Sequence, residues 1–234
     1  MLIIFLFLLI KIMESLPNDI IVFLATFMDL DSVHQLCQTS SRLNRLICNN
    51  RNFWIRRLKQ DYNIDPEDLD SEEYLDPKNT YKIIKNKIDK IIYDPNNKFY
   101  ALSNAALEGN LLYVKALIHL GHREYLYYDC YRYFTVDELP EVITYSLTNL
   151  DVFKYLVPFL KKPLTQEHLN SLLYDAAREN LEVVKYLVEE LGAINESALE
   201  NAREGLDLID DPLDPDPEAD ERRKIVQYLE KLSF

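Results

Sequence analysis

Between residues 18 and 58 apolar side chains recur at intervals of three and four. Ile20, Phe23, Leu24 and Phe27 share one helical face, and Asn18 or Asp19 can cap the helix that carries them. Asp31 or Ser32 can start a second helix, with Val33, Leu36 and Cys37 on one face. Ser40 or Ser41 can start a third, carrying Leu43, Leu46 and Ile47. In the stretch that follows, Phe53, Trp54 and Leu58 are apolar, whereas Arg56, Arg57 and Lys59 read as solvated. Residues 61–78 are acidic and hold Pro66 and Pro77, as in a linker or irregular segment. Residues 79–93 bring Ile83, Ile84, Ile88, Ile91 and Ile92 to near-helical spacing opposite a lysine face, the pattern of an amphipathic helix.

From residue 100 the pattern repeats. NLLYVKALI (110–118), NLDVFKYLV (149–157) and NLEVVKYLV (180–188) share an Asn-Leu start, a central Val or Phe, a Lys and a late Leu. Their asparagines lie 39 and 31 residues apart, close to the roughly 33 residues of one class of helix-turn-helix repeat. AALEG (105–109) precedes the first and AAREN (176–180) the third. Small alanines let antiparallel helices approach, and a Gly or Asn there ends the first helix in a left-handed turn. These segments resemble the ankyrin repeat. The match is close throughout AALEGNLLYVKALIHLG, and AARENLEVVKYLVEELGAIN shows small shifts. VITYSLTNLDVFKYLVPFL has lost its alanine pair. A fourth unit is split between ALENAREG (198–205) and RRKIVQYLEKL (222–232). The Thr-Pro-Leu-His signature, whose side chains tie neighbouring turns in that family, is missing from every unit, which leaves the geometry of the turns open. Residues 122–140 form an aromatic-rich insert. Residues 206–221, acidic with three prolines, read as a disordered insert unable to bury anything.

The N-terminus adds a nine-residue apolar run, Leu2 to Ile10, before Lys11. At ~1.5 Å per residue a helix of that length reaches about half of a ~30 Å bilayer core. No basic region or small-residue cleavage site accompanies it. Residues 1–12 read as an extension upstream of a start at Met13, with a weak membrane anchor as the rival reading.

Charge narrows the function classes. The net charge of −13 argues against nucleic acid and against a basic membrane-surface helix. The chain has only 4 Gly, too few for hairpin-rich β folds or a phosphate-cradling loop. Cys37, Cys48 and Cys130 show no metal-ligand spacing and make no even-numbered disulfide framework, which points to a reducing compartment. His34, His119, His122 and His168 are scattered. No nucleophile with its base, no zinc spacing and no phosphate loop is present, so no enzyme and no cofactor is expected.

Residues 16–58 carry a second resemblance. Leu16-Pro17, Asp19-Ile20-Ile21, Leu30-Asp31, Leu36-Cys37 with Ser40, Asn44-Arg45-Leu46 and Phe53-Trp54 follow, in order, the features of the F-box family. The resemblance implies an all-α chain: a three-helix F-box within 13–60, a linker and amphipathic helix over 61–98, and about four degenerate ankyrin-like hairpins over 99–234. It also implies a partner, the Skp-type adaptor of a cullin-RING ubiquitin ligase, and a role as a substrate-recruiting adapter without catalytic residues of its own. Leu16, Pro17, Ile20, Ile21, Leu24 and Leu36 are the expected adaptor contacts, with Leu36 equally able to serve the unit's own core and Trp54 expected as a core anchor. An unidentified target protein would dock on the array, with Tyr125, Tyr127, Tyr128, Tyr131 and Tyr133 as candidate contacts. The order of the two modules is similar to proteins of large DNA viruses, which implies work in a host cytoplasm. A decoy that binds without ubiquitin transfer, membrane tethered or not, is the alternative.

Overall fold

The computed structural model describes residues 11–13, 15–69, 75–93, 95–121, 140–207, 210–211, 214–215 and 217–232. Over these the chain is helical, apart from a two-residue antiparallel pair, Asp210–Asp211 with Asp214–Pro215. Contacts divide it into two units, Met1–Asp89 and Lys90–Phe234.

The first unit contains α1 (Asn18–Ala25), α2 (Leu30–Thr39), α3 (Ser41–Leu43), α4 (Arg51–Tyr62) and most of α5 (Pro77–Tyr93). α3 runs on as a π-helical turn, Asn44–Cys48. Side-chain caps set three of the starts. Asp29 accepts from the Ser32 amide at 2.8 Å, Ser40 from that of Leu43, and Asn50 from that of Asn52. α1 begins behind Pro17 with no side-chain cap, so neither Asn18 nor Asp19 has the expected role. Ile21, Val33, Leu36, Leu43, Ile47, Phe53, Trp54 and Leu58 make the core. Trp54 donates its indole N–H to the Cys48 carbonyl at 3.0 Å, which satisfies the polar edge of a fully buried ring.

Three expectations need correction here. Cys37 and Cys48 are joined as a disulfide, because α2 packs against the π-helical turn and sets their Cα atoms 6.2 Å apart. Arg57 is buried, not solvated. It donates to the carbonyls of Thr26 and Met28 and to the Tyr81 hydroxyl, and pairs with Asp61 at 2.7 Å. The segment after α4 is irregular but not free: Ile64 and Leu69 are buried, and Asn63 turns the chain in a left-handed conformation.

The second unit is a stack of helical hairpins. Among the described residues these are α6 (Pro95–Leu107) with α7 (Leu111–His119), α8 (Glu141–Tyr145) with α9 (Leu150–Leu156), α10 (Gln166–Ala176) with α11 (Leu181–Lys185), and α12 (Ser197–Asp207) with α13 (Pro217–Lys231). α8 and α9 each end in a short 3-10 turn, and α11 runs on as a π-helical turn, Tyr186–Glu190. First helices contact first helices (α6 to α8, α10 to α12), and second helices contact second helices (α7 to α9 to α11 to α13). The two rows close over alanines and β-branched residues, including Ala105, Ala106, Ala176, Ala177, Val152 and Val183. α13 starts five residues earlier than the sequence pattern indicates and buries Ala219, so the end of the 206–221 segment is part of the last helix.

The repeated Asn-Leu pair has a physical reason. Asn110, Asn149 and Asn180 each cap the second helix of their hairpin, accepting amides two or three residues ahead. The left-handed turn falls to Gly109, at φ +65, while Asn149 and Asn180 are extended. A Cβ on Gly109 would also stand 3.1 Å from the Asn149 side chain of the next hairpin. Asparagine side chains make ties between hairpins as well. Asn180 donates to the Thr148 carbonyl at 3.0 Å, Asn195 to that of Asn170 at 2.7 Å and Asn201 to that of Tyr174 at 2.7 Å. They supply hydrogen bonds between neighbouring hairpins in a chain without Thr-Pro-Leu-His. The repeated lysine is also placed. Lys115 lies over the ring of Tyr155 at 5.5 Å, and Lys154 over Tyr186 at 4.6 Å, each reaching into the following hairpin.

Candidate functional site

α1 of the first unit is apolar on nearly every side, and only part of it is used by the core. Ile21, Val22 and Ala25 face inward. Ile20, Phe23, Leu24 and Phe27, at i, i+3, i+4 and i+7, are 40, 55, 40 and 65% exposed. Phe23 and Phe27 meet edge to face, with ring centroids 5.0 Å apart. Large apolar side chains gathered on one exposed helical face mark a surface built to be covered. Leu16 and Pro17 lead into this face; Pro17 is exposed and Leu16 half-buried.

Both ends of α1 are held by arginine. Arg42 donates from one nitrogen to the Leu16 carbonyl at 3.0 Å and to the Asn18 side chain at 2.8 Å, fixing the lead-in. Arg57 donates to the carbonyls of Thr26 and Met28, which follow the last turn of α1. Burial pulls the Arg57 pKa down, but the hydrogen bond and charge of Tyr81, together with Asp61, outweigh it and leave the pKa raised. Tyr81 in turn donates to Asp61 at 2.7 Å, and burial raises its phenol pKa. The Arg57–Asp61–Tyr81 group therefore ties α1, α4 and α5 together under the exposed face. A helix held at both ends has little left to order when a partner lands on it.

Two of the expected adaptor contacts lie inside the unit. Ile21 and Leu36 are fully buried in the unit's own core, the place left open for Leu36. Ile20, Leu24 and Pro17 stand on the accessible side. Phe23 and Phe27, which periodicity places with Ile20 and Leu24, are the most exposed of the four. Since α1 is apolar on both faces, spacing could not tell which side turns outward.

On the second unit, the expected target contacts Tyr125, Tyr127, Tyr128, Tyr131 and Tyr133 lie outside the described residues, as does nearly all of the 122–140 segment. A groove of about 400 Å³ runs along the row of first helices. Its lining draws on the end of α6, on α8 and the turn after it, on α10 and on α12, so only the assembled stack creates it. Among the described residues, no group of three His, Cys, Asp or Glu side chains is placed to hold a metal. None of the described helices is long and apolar enough to cross a membrane. No protein-family model, curated protein or solved structure matches the chain.

Proposed function

We propose that the chain is a substrate-recruiting adapter of a Skp-cullin-F-box type ubiquitin ligase, working in the cytoplasm. The first unit acts as the F-box and docks on the Skp-type adaptor. The hairpin stack, ankyrin-like in its sequence pattern, holds a target protein. Transfer to the target then follows from proximity, because the shared scaffold raises the concentration of target lysines near the charged conjugating enzyme. No catalytic group of this chain takes part.

The observation that carries this reading is the outward stripe on α1. The unit has already filled its core with Trp54, Phe53 and Leu36, yet it presents Ile20, Phe23 and Leu24, on a helix pinned by Arg42 and Arg57, and Phe27 just beyond that helix, to solvent. The stripe lies where the F-box resemblance puts its adaptor contact, directly after Leu16-Pro17. A reducing cytoplasm would hold Cys37 and Cys48 as thiols, and neither arginine pin passes through that pair.

The test is reconstitution. The full chain is mixed with purified Skp-type adaptor, and complex formation is followed by size-exclusion chromatography with light scattering. A stoichiometric complex that is lost in Leu16→Ala/Pro17→Ala supports the reading. No complex at high micromolar concentrations contradicts it. With cullin, conjugating enzyme and a captured target added, modification of the target marks a recruiter, and binding without transfer marks a decoy.

A further inference from the structure

The groove along the first helices has a composition that selects one kind of side chain. Asp175, on α10, lines it, and no hydrogen bond or ion pair reaches its carboxylate among the described residues. Burial raises the Asp175 pKa, and no charged neighbour is among the causes. The nearby cation is already engaged. Arg178 pairs with Glu204 at 3.0 Å and donates to the Asn201 carbonyl at 3.2 Å. Glu179 adds a second carboxylate to the wall. Leu107, Leu147, Tyr145 and Tyr174, the last 39% exposed, give the groove apolar and aromatic walls, beside the neutral polar Thr144, Thr148 and Asn201. Tyr145 donates its hydroxyl to Glu141, which fixes its ring at the rim.

An uncompensated carboxylate in a partly desolvated slot destabilises the stack that carries it. A ligand that brings a positive charge would reverse that penalty. The rings and leucines would hold an aliphatic stem and a cationic head, the two parts of a lysine or arginine side chain. The volume lies within the roughly 300–1,000 Å³ typical of ligand pockets, and the acidic balance of the whole chain favours approach of a basic partner. From this geometry we infer that the groove is a receptor for a lysine or arginine side chain displayed by the target, with Asp175 as the charged anchor and Tyr174 as its aromatic wall. The inference rests on the reading of this unit as the target-holding half.

The test uses the full chain and small probes: Nα-acetyl-arginine methylamide, Nα-acetyl-lysine methylamide and, as the uncharged control, Nα-acetyl-norleucine methylamide. Backbone amide shifts are followed by NMR. Saturable shifts at residues 144–148 and 174–179 with about millimolar affinity are expected for the two cations, and about tenfold weaker shifts for norleucine. Asp175→Asn should lower the cation affinity about tenfold, corresponding to ~1.4 kcal/mol, with the rest of the amide spectrum unchanged. If that variant disturbs the fold, Tyr174→Ala, at an exposed position, should give the same loss of cation preference. Equal binding of norleucine and arginine, cation binding untouched by both variants, or no saturable shift at all would each overturn the inference. The assay contains no adaptor. A silent groove therefore leaves adaptor docking standing, and a chain that ignores the adaptor leaves the groove result readable.

Discussion

α1 in the first unit and the second helices of the hairpin stack are both rich in apolar residues, and they use them differently. In the stack, α7, α9 and α11 with its π-helical turn direct Leu117, Phe153 and Leu187 inward and show lysine and tyrosine to water, paired across hairpins. Leu120 and Ile194 of that unit are exposed on separate segments, while Leu107 and Tyr174 share the groove along the first helices. On α1 three large exposed apolar side chains, Ile20, Phe23 and Leu24, share one side, and Phe27 follows in the turn just after it. A scattered exposed leucine needs no partner, whereas a continuous stripe does. The contrast separates second helices finished for water from a lead helix that leaves a large apolar face exposed.

The largest expected effect lies under that open surface. Trp54→Ala removes a fully buried ring and the donor to the Cys48 carbonyl, and should destabilise the first unit by about 3–5 kcal/mol. Denaturant unfolding followed by circular dichroism checks it. A loss under ~1 kcal/mol would mean that the aromatic core does not hold this unit together.

The stack should respond in smaller steps, since each hairpin leans only on its neighbours. Asn180→Ala removes both a helix cap and the tie to Thr148, for about 2 kcal/mol. Asn149→Ala removes a cap of the same kind, for about 1 kcal/mol. Equal losses at the two sites, measured by urea titration, would remove the tie between hairpins from the account. Lys154→Ala, which takes an exposed ammonium from the face of Tyr186, should cost about 0.5–1 kcal/mol.

Asp175 should move stability the other way. Burial sets its folded pKa above its unfolded value. The stability linked to its protonation is complete below the unfolded pKa of about 3.8 and is lost as pH rises through the folded value. At neutral pH, Asp175→Asn should therefore keep or raise the melting temperature while it weakens binding of cationic probes. A drop in melting temperature would show that the carboxylate has a stabilising partner.

Much of the helical layout was legible because its signals are local. The three Asn-Leu units, the alanine pairs and the cap at Ser40 each depend on residues a few positions apart. What remained hidden depends on distant neighbours. Arg57 reads as solvated until Tyr81, 24 residues on, supplies a hydroxyl and Thr26 a carbonyl. The Cys37–Cys48 pair depends on the packing of α2 against the π-helical turn. The outward face of α1 could not be chosen from Asn18–Ala25 itself, where six consecutive apolar residues, Ile20 to Ala25, cover both sides. The groove needs Leu107, Tyr145 and Asp175 from three hairpins at once, and no window of sequence holds all three.

The central claim is that the stripe on α1 serves a partner and not the fold. Phe23→Ser/Phe27→Ser in the full chain tests it most directly, with unfolding free energy and adaptor affinity measured on the same sample. The account predicts a stability within about 0.5 kcal/mol of the parent and loss of the complex with the Skp-type adaptor. Parent-like adaptor binding, or a stability loss of about 2 kcal/mol or more, would contradict it.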